Sequence, residues 1–432
     1  MNIKIRSALR SWHELVMRSA AWCLLVPVIL AFLIRNRRLF DAPLVMPFYT
    51  HSFGHSFQAL DVAARLYANS RISLVMVRDP NQNAFLPAMF RESMTLYWVD
   101  TLGFSPRTVG AVLRALVYML CPFFGGASLI ELDSVYRAMT RLPERVVGSE
   151  ERDQLIATPH DLTGYVYLLE HGIGPRPSLP PDLMARCRSF IAARYPDFFS
   201  RPFITVLLRA KGQDAPELSA RCRSSGPMEN YRPAVAHAIA RGYHVVGTGE
   251  TVNSVFADMP GFFDLGEMRD APGLVNVFLL SHCSLFLGQQ SGPVVVPNSC
   301  GIPCLITDAL PHRHGAYGQT DIVLYKPVTL EGEKNPLNLV DIYTHHKDLA
   351  YGYGFERKRA TIGCNSAQEL LQAIEEALDR LVGPPPFDVL KLASQWRELI
   401  EPSMPVHFHP SRPPEFVLRS LPLNGYEDAQ QS

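Results

Sequence analysis

Short apolar runs, bounded by glycine, proline or charge, recur along this chain, and the stretches between them carry helical spacing. Leu44–Thr50 (LVMPFYT) has the pattern of a buried strand, and a helical pattern runs beyond it through Phe57, Leu60, Ala64 and Leu66. Ile72–Val77 (ISLVMV) is a second strand, closed by Arg78-Asp79-Pro80. Strand, glycine-containing turn, helix, strand is the opening unit of a parallel α/β sheet. From about residue 83 to 161 the pattern is harder to read; a helix over Thr108–Leu120 and a strand near Ala127–Leu132 are the elements it suggests.

The second half reads more sharply. Gly172–Pro181 (GIGPRPSLPP) marks a linker. A helix over Pro181–Tyr195 follows, then a strand over Phe203–Leu208 ending at Arg209. Asn230–Arg241 predicts a helix stopped by Gly242, and Tyr243–Val246 the next strand. Phe262–Leu265, Ser284–Leu287 and Cys304–Thr307 are further strands, with helices over Leu274–His282 and from Pro293 to Cys300 between them. Nearly continuous apolar strands alternating with helices imply a parallel sheet covered on both faces. Ala367–Leu381 is an amphipathic helix ended by Gly383-Pro384-Pro385-Pro386, and the tail beyond it, with Trp396 and Phe416, is apolar enough to pack back on the body, with the first domain the expected place.

The N-terminus stands apart. Ala20–Ile34 carries no charge and is closed by Arg35, Arg37 and Arg38, while Ile5, Leu9, Trp12, Leu15 and Val16 interleave with Lys4, Arg6, Arg10 and Arg18. The apolar run is shorter than the roughly 20 residues a span requires, contains Pro27 and lacks a small-residue cleavage signal. Residues 1–38 therefore predict association with a membrane surface or the inner membrane, with the body on the cytoplasmic side; a buried helix of the fold is the alternative. The division expected is 1–40 for this segment, 41–180 for a first α/β domain, 181–382 for a second and 383–432 for the tail.

Composition narrows the class of partner. Lys+Arg and Asp+Glu both number 41 in 432 residues, and nucleic-acid binding, which favours a basic excess, is not expected. The eight cysteines are scattered without a CxxC pair and read as core residues of a reducing compartment; Cys300 and Cys304 flank a helix-to-strand turn. The histidines lack ligand spacing with acidic partners and no Asp-x-Asp occurs, so neither a metal nor another cofactor is expected.

Ligands of parallel α/β sheets bind beyond the carboxyl ends of the strands, which singles out four loops. In Gly288–Pro293, Ser291 is placed to cap the following helix, and Gly288, Gln290 and Gly292 present backbone or amide groups to an anion. Arg209, with Lys211 close by, can grip a diphosphate, and Gly249-Glu250 can hold a base or ribose. Gly54 and His55 follow the first strand, with His55 a candidate base and His51 its rival.

FITVLLRAKG from Phe203, ENYRPAVAHAIARGYHVVGTGE from Glu229 and SLFLGQQSGPVVVPNSCGIPCLITD from Ser284 together resemble a family of bacterial glycosyltransferases, distantly similar in fold to fucosyltransferases of the GT-B type. Weaker echoes lie in Thr50–Asp61 and His407–Phe416. The resemblance implies two Rossmann-like domains, a nucleotide-sugar donor on the second and a glycan acceptor on the first. The family's strand-end arginine falls on Arg209, its Ser-Gly-Pro turn on Ser291, Gly292 and Pro293, and its Asn-Tyr helix start on Asn230 and Tyr231. The chain departs from the family at Leu207 and Ala210 (His and Asp), Ser224 and Ser225 (Arg-Asn), Glu250 (Asp), and Gln289 and Gln290 (small hydroxyl residues). The missing carboxylate beside Arg209 keeps two alternatives open, a non-catalytic nucleotide-sugar binder and a GT-B-like epimerase.

Overall fold

The computed structural model describes residues 22–48, 53–79, 83, 85–101, 103–123, 127–140, 163–209, 224–248, 255–265, 272–311, 318–350, 354–400 and 411–422. The chain divides into two compact units, Met1–Ala138 and Met139–Ser432. The helix Thr163–Glu170 thus falls with the second unit, where the linker at residue 172 had suggested a later division.

The first unit holds a four-stranded sheet of β1 (Leu44–Phe48), β2 (Ile72–Val77), β3 (Met94–Val99) and β4 (Ser128–Leu129), in the order β3-β2-β1-β4 with all pairs parallel. β3, which the sequence reading missed, is an edge strand with only Met94 and Val99 buried. Helix α1 (22–35) and helix α3 (Pro106–Leu120) share one core cluster with Val45, Val75, Val77 and Val99, so both cover the same sheet face. Ser105 caps α3, its hydroxyl accepting from the Thr108 amide at 3.1 Å. Between β1 and β2 runs α2 (Phe53–Leu66).

The N-terminal segment is half-committed to the protein. Leu25, Ile29 and Leu33, one turn apart, are at most 1% exposed in the first unit's core. Among the described residues no helix is long and apolar enough to cross a membrane.

The second unit holds a six-stranded parallel sheet ordered β10-β9-β8-β5-β6-β7. Its strands are β5 (Phe203–Leu207), β6 (His244–Gly247), β7 (Phe262–Asp264), β8 (Leu285–Gly288), β9 (Cys304–Ala309) and β10 (Ile322–Tyr325). Period-two alternation along β5 sends Ile204 and Val206 to one face, where α5 (Arg232–Ala240) and α8 (Ala367–Arg380) pack through Ala234, Val235, Ala238, Leu370, Ile374 and Leu378. Phe203 and Thr205 point to the other face: Phe203 stacks on Phe278 of α6 (Pro272–His282), and the Thr205 hydroxyl donates to the Leu279 carbonyl at 2.8 Å. Helix α4 (Pro181–Arg194) buries Cys187 and Ile191. A capping box between Ser366 and Glu369 starts α8. Short α7 (Val295–Cys300) ends at Gly301, whose φ of 74° is the left-handed conformation a helix C-cap requires, and the chain turns directly into β9.

The described part of the tail packs on the second unit, where the sequence suggested the first domain. Helices α9 (Phe387–Glu398) and α10 (Glu415–Ser420) bury Val389, Trp396 and Leu418 in a cluster with Leu310, Val328 and Tyr343 of the second unit. Most described cysteines sit inside or partly inside, as expected; Cys23 on α1 is the exception and is exposed.

Candidate functional site

The order of strands brings the key loops of the second unit together. β8, β5 and β6 are consecutive neighbours, so the segments leaving their carboxyl ends, at Gln289, Leu208 and Thr248, emerge side by side. Arg209 lies between the other two.

Arg209 is held through its backbone. Its amide donates to Oε1 of Gln289 at 2.7 Å, across 80 residues of sequence. Its carbonyl accepts from the Ser225 amide at 2.8 Å and from the Ser225 hydroxyl at 3.1 Å. The side chain is exposed, and among the described residues the guanidinium has no ion-pair partner. A rigid backbone beneath a free, permanently charged fork is the arrangement for gripping an anion, since little order has to be created on binding.

Beneath this edge lies a buried polar network centred on Asp308, which is 2% exposed and takes a φ of 49° at the end of β9. Its carboxylate accepts from the Gly226 amide at 2.7 Å, the Tyr231 hydroxyl at 2.6 Å and the Asn365 amide at 2.9 Å. Buried Lys326 stands 3.8 Å away. The Asp308 amide donates to the Asn365 side chain at 2.6 Å, and Tyr231 also meets the Thr307 hydroxyl at 2.9 Å. Burial and the neighbouring Asp308 carboxylate push the Tyr231 phenol well above its ordinary range, so it stays protonated and donates. The network ties the Ser224–Tyr231 segment, and through Ser225 the carbonyl of Arg209, to the end of β9.

The expected residues divide into three groups. Arg209, Gly288, Gln290, Ser291 and Gly292 do meet along one sheet edge. Lys211, Gly249, Glu250 and His51 lie outside the described residues. Gly54 and His55 belong to the first unit, in the opening turn of α2, where Gly54 is buried. His55 is the single exposed position of that helix between Gly54 and Arg65. Asp61 and Arg65 one turn apart form a buried ion pair at 3.0 Å on the same helix.

Several individual expectations change in the structure. Gln290 does not project toward a ligand: its side-chain amide brackets the Leu310 backbone, accepting from its amide at 3.1 Å and donating to its carbonyl at 3.3 Å. Gln289 and Gln290, which stand where the resembling family has small hydroxyl residues, are thus clamps on the neighbouring strands. Gly288 answers a packing constraint, because an added Cβ would fall 2.6 Å from the Phe286 ring and 2.9 Å from the Leu207 carbonyl. Ser291 occupies the N-cap position with extended backbone, yet its side chain makes no capping hydrogen bond. Its hydroxyl is shielded from water and has no partner among the described residues.

Asp308 and Asn365 were not singled out by sequence, and Ser225 only as a departure from the resembling family. Asp308 sits in a plain strand-to-loop Thr-Asp, and Asn365 lies 57 residues further on; nothing local announces that they pair. A buried carboxylate is legible only once its donors are in place.

No protein-family model matches the chain, and no curated protein matches it in sequence. Among solved structures, a glycosyltransferase of family 9 from Veillonella parvula is similar at 16% identity and a TM-score of 0.45, over 78% of this chain and 97% of that one. The ADP-heptose lipopolysaccharide heptosyltransferase II of E. coli is similar at 16% identity and a TM-score of 0.42, over 79% and 99%. The E. coli heptosyltransferase WaaC with ADP follows at 11% identity and a TM-score of 0.34, over 66% and 93%. Likeness at this level assigns no activity to the chain, which is an α/β protein built on two parallel sheets.

Proposed function

We propose that this chain is a glycosyltransferase. In this reading it takes a sugar from a nucleotide-diphosphate donor held at the carboxyl edge of the second sheet. It passes that sugar, without a metal ion, to a glycan acceptor of the cell envelope at the cytoplasmic face of a bacterial membrane. One observation carries the reading: an exposed, unpaired Arg209 guanidinium, its backbone fixed on both sides, in the same sheet edge as a Ser291 hydroxyl that caps nothing. Sugar transfer leaves a diphosphate on which negative charge develops, and donors fixed in advance stabilise that charge without reorganising. Arg209 is the residue assigned to this task, supported by Ser291, the Gly292 amide and Lys211. Gly249 and Glu250 are assigned to the nucleoside, and His55, with Gly54 beside it, to the acceptor hydroxyl as general base.

Thermal unfolding of the full chain with a panel of nucleoside diphosphates and nucleotide sugars tests the donor site. A ligand present at 100 times its Kd adds about 2.7 kcal/mol of stability. Arg209→Ala is expected to weaken that ligand roughly 10- to 100-fold, the worth of a charged hydrogen bond at about 1.5–3 kcal/mol. An unchanged response in Arg209→Ala removes the assignment, and no response from the wild type to any nucleotide removes the donor site altogether. Saturable donor binding without transfer would make the protein a binder, the outcome favoured by Ala210 standing beside Arg209 in place of a carboxylate.

A further inference from the structure

In the first unit, every large apolar side chain exposed among the described residues lies on α1 or at the end of α3. On α1 these are Trp22, Leu24 (62% exposed), Val28 and Ile34 (59%); from the end of α3 they are Tyr118, Met119 and Phe123 (80%). Both helices cover the same face of the sheet, so their outer sides look the same way. Charge on this layer is lopsided. Residues 22–41 and 106–123 contain Arg35, Arg37, Arg38, Arg107 and Arg114 against Asp41 alone, in a chain whose charges balance only as a whole. Among the described residues none of these arginines is ion-paired.

We infer that this helical layer is a docking surface for an anionic lipid bilayer, with α1 lying in the plane of the interface. This gives residues to the membrane half of the proposal above and does not rest on sugar transfer. The alternative of a span fails on α1 itself: Leu25, Ile29 and Leu33 are locked into the protein core, so the helix offers lipid one side only. An apolar face carrying tryptophan, tyrosine and phenylalanine beside unpaired arginines is the chemistry that enters the headgroup boundary while cations engage lipid phosphates. A partner protein of ordinary composition would leave five arginines without counter-charges.

Co-sedimentation of the full chain with phosphatidylcholine vesicles, with and without phosphatidylglycerol, tests this. The wild type should pellet with the anionic vesicles and be released by salt. Leu24→Asp/Val28→Asp should weaken binding at least tenfold with its far-UV circular dichroism unchanged. Phe123→Ser should weaken it too, and serves if the double variant misfolds. Arg35→Gln/Arg37→Gln/Arg38→Gln should lose roughly fivefold per arginine. Wild type left in the supernatant overturns the inference. So does undiminished binding of the Leu24/Val28 variant, which would leave attachment to residues before Trp22. A wild-type dimer in sedimentation velocity that Leu24→Asp dissolves, with no lipid binding, would assign the face to a second copy instead. Donor-induced thermal shifts of Leu24→Asp should equal those of the wild type, which separates failure of this surface from failure of the donor site.

Discussion

Asp308→Asn is the sharpest perturbation the structure offers, because it swaps one atom in a fully enclosed site. The carboxylate accepts three hydrogen bonds at 2.6–2.9 Å and faces Lys326 at 3.8 Å. An amide keeps one acceptor and replaces the other with a donor. If its oxygen faces Gly226 and Tyr231, the new NH2 confronts the Asn365 amide, which has nowhere else to turn. In the reverse orientation the Gly226 amide is orphaned, although the Tyr231 hydroxyl can redirect to Thr307. Either way one buried donor is left unmade, at about 1–3 kcal/mol, and Lys326 loses its counter-charge. Breaking a buried pair from one side costs about 3–5 kcal/mol, and since these terms overlap, about 3–5 kcal/mol is the expected loss for the second unit. Urea unfolding followed by circular dichroism reads it, with the two units allowed separate transitions. Adding Lys326→Met should return part of the loss by removing the stranded charge. A loss below about 1 kcal/mol would refute the view that this network supports the site edge.

Two further outcomes follow from burial. Tyr231 has a folded-state pKa raised above its unfolded value near 10, by burial first and by Asp308 next. Its contribution to stability is therefore complete below about pH 10 and is lost as pH rises toward the folded value. Stability of the wild type measured by urea midpoint should fall above pH 10, and Tyr231→Phe should flatten that decline; equal slopes would show that other groups govern it. On α1, Leu25→Ala should destabilise the first unit by about 2–5 kcal/mol, whereas Leu24→Ala one residue earlier should change it by no more than about 0.5 kcal/mol. Equal losses would contradict the half-buried placement of the helix.

Much of the second sheet was legible because its strands are short and buried on both faces, so that FITVLL, SLFL and CLIT announce themselves without a partner. The helix stop at Gly301 and the capping-box helix from Ser366 are equally local signals. β3 and β10 were not read. Each is a short edge strand: β3 buries only its two ends, and β10 has four residues, so neither short apolar run stands out from its surroundings. Of the candidate site, the edge and its arginine came from the positions of strand ends and from residue type. The tasks of its neighbours did not: Gln290 brackets Leu310, Gly288 yields to a ring and a carbonyl, and Ser291 caps nothing.

Sequence by itself determined the α/β class, the succession of parallel strands in the second unit and the placing of Arg209 and Ser291 at strand ends, since these depend on period, burial and turn chemistry within a few residues. Tertiary structure alone decided that Gln289 and Ser225 fix Arg209 from opposite sides, that Asp308 gathers donors from Gly226, Tyr231 and Asn365, and that α1 turns one apolar face inward and the other to solvent. Those contacts join residues up to 82 positions apart. A hydrogen bond between such partners exists only after the sheet has ordered, and a uniformly apolar stretch carries no mark of which side the core will claim.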